Sequence, residues 1–161
     1  MIVVSNSGPL IALSEIGQLS VLSSLYDRVL IPRAVWEEVV IRGRNPSVVA
    51  AVRSATWIQT VDVHDLAEVQ SLRAQVGAGE SEAITLAFTI GADLLLIDDA
   101  RGRRIAEAKG IAKIGVVGTL ISAKRHGVIE SVRPLLQQLR NSGFYMDDEL
   151  MLTALEMTDE A

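Results

Sequence analysis

A chain of 161 residues, 49% apolar and 22% charged, has the size and hydrophobicity of one folded domain, which excludes a disordered or fibrous polymer. With no cysteine and two histidines, neither a disulfide framework nor a thiolate zinc cage can be built, and a reducing, cytoplasmic setting is expected. The net charge of -5 argues against indiscriminate nucleic-acid binding; no apolar run reaches the ~18–20 residues of a membrane span, and Met1–Val4 lacks the basic start of a signal peptide.

In chain order, Ile2-Val3-Val4 is an aliphatic run ending in Ser5-Asn6-Ser7-Gly8-Pro9, the pattern of a strand giving way to a helix with proline early in its first turn. Val29-Leu30-Ile31 repeats it, with Pro32 followed by a predicted helix over 33–41. A helix over 47–55 leads to a β-branched strand over 57–61, and helices over 65–76 and 79–90 are split by Gly77-Ala78-Gly79. Leu94-Leu95-Leu96-Ile97 is apolar without alternation, as in a parallel strand covered on both faces. A helix over 100–109, a strand over 113–117 and helices over 119–125 and 131–141 follow, and Asp147 can cap a last helix to Met157. This alternation predicts a three-layer α/β/α fold with a mainly parallel central sheet. A single domain over 1–161 is expected, with 142–161 as an acidic C-terminal helix or tail.

Charge is unevenly spread. Between residues 100 and 140, nine bases (Arg101, Arg103, Arg104, Lys109, Lys113, Lys124, Arg125, Arg133, Arg140) face only Glu107 and Glu130, whereas residues 141–161 carry acids and no base. The two segments read either as solvated faces or as a polyanion-facing patch beside an acidic tail. That tail could contact a partner protein, shield the basic segment, or dock as a helix through Met151, Leu152 and Leu155.

Ligands of open parallel sheets collect beyond the carboxyl ends of the strands. Two predicted strands end in polar residues there, one in Ser5-Asn6-Ser7 and the other in Asp98-Asp99; Asp99 would equally serve as a helix cap. On the helix after Gly79, the 100° rotation per residue gathers Ser81, Glu82, Thr85 and Thr89 on a polar face directed to water, and turns Glu80 toward the sheet with Ala83, Ile84 and Ala87. In the preceding pair, Glu37 lies four residues after Arg33, a surface ion pair. Glu38 lies nearer the apolar side, with Arg42 available to neutralise it. Asn6, Glu38, Glu80, Asp98 and Asp99 supply hard oxygen ligands, which suit Mg²⁺ or Mn²⁺, and clustered carboxylates need a cation. Such an ion can activate water against a phosphodiester, while Arg101, Arg103, Arg104, Lys124 and Arg125 hold the remaining phosphates. Gly77-Ala78-Gly79 lacks the lysine of a P-loop, and His64 and His126 read as surface residues.

The succession Val3-Val4-Ser5-Asn6-Ser7, Ile31-Pro32-Arg33-Ala34-Val35-Trp36-Glu37-Glu38-Val39, Gly79-Glu80-Ser81-Glu82-Ala83-Ile84 and Leu94-Leu95-Leu96-Ile97-Asp98-Asp99-Ala100-Arg101 resembles a PIN domain, closest to an uncharacterised bacterial and archaeal PIN-like group related to VapC-type toxin ribonucleases. The resemblance covers nearly the whole chain. It implies a metal-dependent endoribonuclease acting on RNA, often the toxin of a toxin–antitoxin pair, with an antitoxin protein and a second copy of the chain as further partners. By position it implies metal ligation and catalysis by Glu38, Glu80 and Asp99, with Asp98 beside them. Asn6 stands where the family usually has its first Asp, and Ile97 replaces a frequent Thr. The neutral Asn6 keeps a second reading open, a PIN-like module that binds nucleic acid or protein with weak or no catalysis. A third, a phosphatase or receiver-like domain using Asp98 and Asp99, lacks a matching lysine at a strand end.

Overall fold

The computed structural model describes residues 1–161. Five short strands, β1 (Val3–Ser5), β2 (Val29–Pro32), β3 (Ile58–Val61), β4 (Leu94–Leu96) and β5 (Lys113–Ile114), form one sheet in the order β3-β2-β1-β4-β5. Every neighbouring pair is parallel, and Val4 at the centre faces Leu30 on one side and Leu95 on the other. The aliphatic character of β1, β2 and β4 follows from this placement: Val3, Val4, Val29, Ile31, Leu95 and Leu96 are all fully buried, as a sheet sandwiched between helices requires.

Ten helices cover the sheet in a three-layer α/β/α arrangement. Helix α6 (Ala78–Thr89) crosses β1, β2 and β4 and packs against α3 (Arg33–Trp36), α5 (Leu66–Leu72) and α7 (Ala100–Ala108). A second group centres on α8 (Val116–Arg125), which meets α1 (Ser7–Glu15), α2 (Val21–Tyr26) and α10 (Asp148–Met157); α4 (Pro46–Ser54) rests on α1, and α9 is Arg133–Asn141. One continuous core of 37 buried residues runs from Val3 to Leu155. Each fully buried Leu or Ile in it, such as Leu13, Ile84 or Leu120, contributes roughly 1.5–3 kcal/mol.

Three local expectations are corrected. The predicted strand over 113–117 stops at Ile114, because the extended Gly115 is already the N-cap of helix α8, which starts at Val116. The backbone N–H of Val116 donates to Asp98 Oδ1 at 3.1 Å, so a carboxylate from the neighbouring strand end fixes where the helix begins. The polar face of α6 looks at water only at its end, where Thr89 is exposed: Ser81 and Thr85 are fully buried, since three helices and the sheet surround the rest of α6. Glu82, on the same face, accepts a hydrogen bond from Ala34 N at 3.2 Å and so caps the first turn of α3. Arg33 pairs with Asp62 at 3.1 Å, not with Glu37, because the strand-end loop after β3 lies closer to it than the next turn of its own helix.

The helix begun by α3 does not continue as an α-helix. Residues Glu37–Ile41 form a π-helical turn, a widening found mostly at functional sites.

Candidate functional site

The strand order places β1 beside β4, with the chain leaving to β2 and β3 on one side and to β5 on the other. That is the topological switch point, where the helices after adjacent strands diverge and open a crevice at the carboxyl edge. The strand ends flanking it are Ser5-Asn6-Ser7 and Ile97-Asp98-Asp99, and Asn6 N extends the pairing by donating to Leu96 O at 2.9 Å.

Asn6 is 6% exposed, and its Oδ1 is buried with no hydrogen-bond partner. It precedes α1 in extended backbone conformation but makes no side-chain cap. A buried amide oxygen with no donor costs about 1–3 kcal/mol. Next to it, Ser7 Oγ donates to Glu38 Oε2 at 2.7 Å, and Gly79 N donates to Glu38 Oε1 at 2.9 Å. Glu38 therefore bridges the starts of α1 and α6 from the π turn, whereas Glu37 is exposed. Gly79 is needed for this bridge: a Cβ there would stand 2.7 Å from Glu38 Oε1.

Glu80 lies in the first turn of α6. Burial, then a hydrogen bond with Asp99 and the charges of Asp99 and Glu38, push its carboxyl up to about 7, against an opposing backbone hydrogen bond at Gly77. Asp99 caps α7 by accepting from Gly102 N at 2.9 Å. That bond holds its carboxyl below the usual range despite some burial, helped by Glu80 and by the backbone and guanidinium of Arg101. Asp99 is thus both helix cap and site acid. Asp98 turns the other way, toward the start of α8. Burial raises its carboxyl more than the Val116 N–H and the Arg103 charge lower it, and its Oδ2 is buried and unpartnered.

Glu80 consequently lies beside both Asp99 and Glu38, Ser7 is bonded to Glu38, Asn6 ends the adjacent strand, and Asp98 is directed toward α8. In these side-chain positions no three acids or histidines are disposed to share one ion: Glu80 and Asp99 share a hydrogen bond, and both Glu38 oxygens are engaged by Ser7 and Gly79. The donor set nevertheless fits a hard divalent cation. All its atoms are oxygens, two buried acceptors lack donors, and burial, reinforced by the neighbouring carboxylates, disfavours a bare negative charge on Glu80.

The basic residues divide into two groups. Arg103 Nη1 donates to Ile97 O at 2.9 Å, inside the crevice, and Arg101 Nη1 donates to Gln75 O at 3.2 Å. Arg101 and Arg104 line an open hollow of about 520 Å³ beside Gln75. Lys124 and Arg125 instead reach the C-terminal segment: Lys124 Nζ donates to Thr158 O at 2.6 Å and Glu160 Oε2 at 2.9 Å, and Arg125 Nη2 to Met157 O at 3.5 Å. His64 and His126 are exposed. Sequence reasoning missed Ser7, which it spent on the helix start, and the π turn, which has no local sequence signal. The Gly77-Ala78-Gly79 break reads in the sequence only as a separator of two helices, and nothing in it signals the close approach of Glu38 to Gly79.

The chain matches, over residues 2–160, a family model described as a PIN domain. Comparison with curated proteins and with solved structures gave no match. A match that runs from residue 2 to residue 160, on a parallel sheet whose switch point is flanked by acids from three separate segments, shows that the chain belongs to the PIN-domain family.

Proposed function

We propose that the protein is a metal-dependent endoribonuclease that hydrolyses phosphodiester bonds of RNA. The observation that carries this is the crevice itself: Glu80 in contact with Asp99, Glu38 close enough to raise the Glu80 pKa, and the unpartnered Asn6 Oδ1 at the end of the adjacent strand. The PIN domain is a nuclease-type fold, and this chain keeps acids at three of its four site positions. Glu38, Glu80, Asp99 and Asn6 would hold Mg²⁺ or Mn²⁺, with Asp98 assisting. The ion, when bound, supplies a more acidic water and neutralises phosphate charge.

The chain's own residues perform the rest. Ser7 and Gly79 fix the Glu38 carboxylate, and Asp99 is aimed by Gly102 N. Arg103, tethered to Ile97 O, adds positive charge beside the acids, and Arg101 and Arg104 extend it along α7 for neighbouring phosphates. Hydrolysis adds water oxygen to phosphorus, breaks one phosphorus–ester oxygen bond and delivers a proton to the leaving oxygen. The whole length, 1–161, acts as one PIN-like domain, as its continuous core supports. A toxin role, with an antitoxin protein and a second copy as partners, rests on the sequence resemblance. No helix is long and apolar enough to cross a membrane, and a cytoplasmic setting agrees with the absence of cysteine.

The second reading, a binding module without turnover, is favoured by one residue, Asn6, which lowers the charge of the ligand set by one. Incubation of RNA with the protein and Mn²⁺ separates them. Cleavage by wild type that is lost in both Glu80→Gln and Asp99→Asn selects the nuclease; binding without cleavage selects the module.

A further inference from the structure

Beyond the acids the crevice continues as a groove of about 650 Å³, bounded by α8 on one side and α10 on the other, with Asp98 and Asp99 at its inner end. Its rim carries Tyr145, 85% exposed, beside the half-buried Phe144, and the partly exposed Leu150 and Met157 of α10. Arg103 and Lys113 also line it; Arg103 is tethered to Ile97 O, and Lys113 Nζ lies 3.6 Å from the exposed Glu107 carboxylate, a surface pair that a phosphate can replace. An aromatic ring left in water on the rim of a groove that two cations also line has the composition of a surface that takes a base by its face and a phosphate by its charge.

We propose that Tyr145 is the base-stacking platform for an unpaired RNA nucleotide, whose adjoining phosphates lie along Arg103 and Lys113 toward Asp98 and Asp99. The proposal rests on the ribonuclease reading and makes it more specific: the groove admits single strands, because a base paired in a duplex has no free face for the ring. The volume lies within the roughly 300–1,000 Å³ typical of small-ligand sites, enough for a base and its sugar. Continuity with the acids and the cations along the wall favour RNA over a protein helix, which would match Tyr145, Leu150 and Met157 but leave Arg103 and Lys113 opposite apolar side chains.

The test is fluorescence anisotropy with a labelled ten-nucleotide single-stranded RNA, and with the same RNA annealed to its complement, in buffer without divalent metal. Tyr145 is too exposed for its replacement to disturb folding. Tyr145→Ala should weaken single-strand binding roughly tenfold, Tyr145→Phe should bind as wild type, and duplex binding should not distinguish the three proteins. Equal single-strand affinity for Tyr145→Ala and wild type overturns the proposal, as does a Tyr145→Phe variant as weak as Tyr145→Ala, which would make the hydroxyl and not the ring the contact. So does a dimer, seen by sedimentation velocity, that Tyr145→Ala dissociates. Cleavage assays with Mn²⁺ keep the two ideas apart. Stacking by a wild type that never cleaves would sink the nuclease reading alone, and Mn²⁺-dependent cleavage with unchanged Tyr145→Ala binding would sink the platform alone.

Discussion

Replacing Glu160 by glutamine tests how the C-terminal segment, one wall of the groove, is held. After α10 the chain reverses at Asp159, whose φ of 57° lies in the left-handed region, and returns Glu160 to the start of α9. There its carboxylate accepts from Val132 N at 2.9 Å, Arg133 N at 3.1 Å, Lys124 Nζ at 2.9 Å and the Ser131 hydroxyl. Burial alone would raise this carboxyl, but the bonds from Ser131, Val132, Lys124 and Arg133 together hold it well below the ordinary 4.5. The side chain is 11% exposed, so solvent screens the contacts little. A hydrogen bond to a charged group contributes about 1.5–3 kcal/mol and a charge at a helix N-terminus up to ~2. Because Glu160→Gln keeps the shape and some of the bonds, the expected loss is about 2–3 kcal/mol, or roughly 5–10 °C in Tm for a chain of this length. The sign of the pH dependence is fixed by the direction of the shift. A depressed carboxyl adds stability that is fully present above the ordinary value and is lost as pH falls through the acid range. Urea unfolding of both proteins should show a constant gap from pH 8 to 5 that narrows below about 4.5. A gap under about 0.5 kcal/mol at pH 7, or one that persists unchanged in acid, refutes the reasoning.

Two further changes probe the acids. Gly79→Ala would drive a methyl group to 2.7 Å from Glu38 Oε1; the flexible carboxylate can swing away, so stability falls by only about 1 kcal/mol in thermal melts. Mn²⁺-dependent cleavage should nonetheless drop at least tenfold, and full activity would show that the Glu38 position is immaterial. Asn6→Asp puts a carboxylate where an unpartnered amide oxygen now lies, and Mn²⁺ binding by calorimetry should tighten about tenfold, near 1.4 kcal/mol. Equal or weaker binding removes Asn6 from the ligand set.

The amino-acid sequence by itself determined most of the elements, though not α2 or the π turn, and the inner face of several of them. Undivided aliphatic runs at Val3-Val4 and Leu94–Ile97 mark strands buried on both sides, and the apolar surroundings of Glu38 separate it from Glu37, because periodicity records which direction a short segment turns inward. Only tertiary structure decided the partners. Ser81 and Thr85 look like a solvent face until α3, α5 and α7 close round α6; Arg33 chooses Asp62 over Glu37; Lys124 is claimed by Glu160, thirty-six residues away. That Asn6 and Asp99 follow neighbouring strands at one edge depends on β1 lying next to β4, and neither strand carries a mark of its neighbour. Local sequence fixes conformation through interactions a few residues long, whereas strand order and cross-chain hydrogen bonds emerge only when the whole core is buried at once.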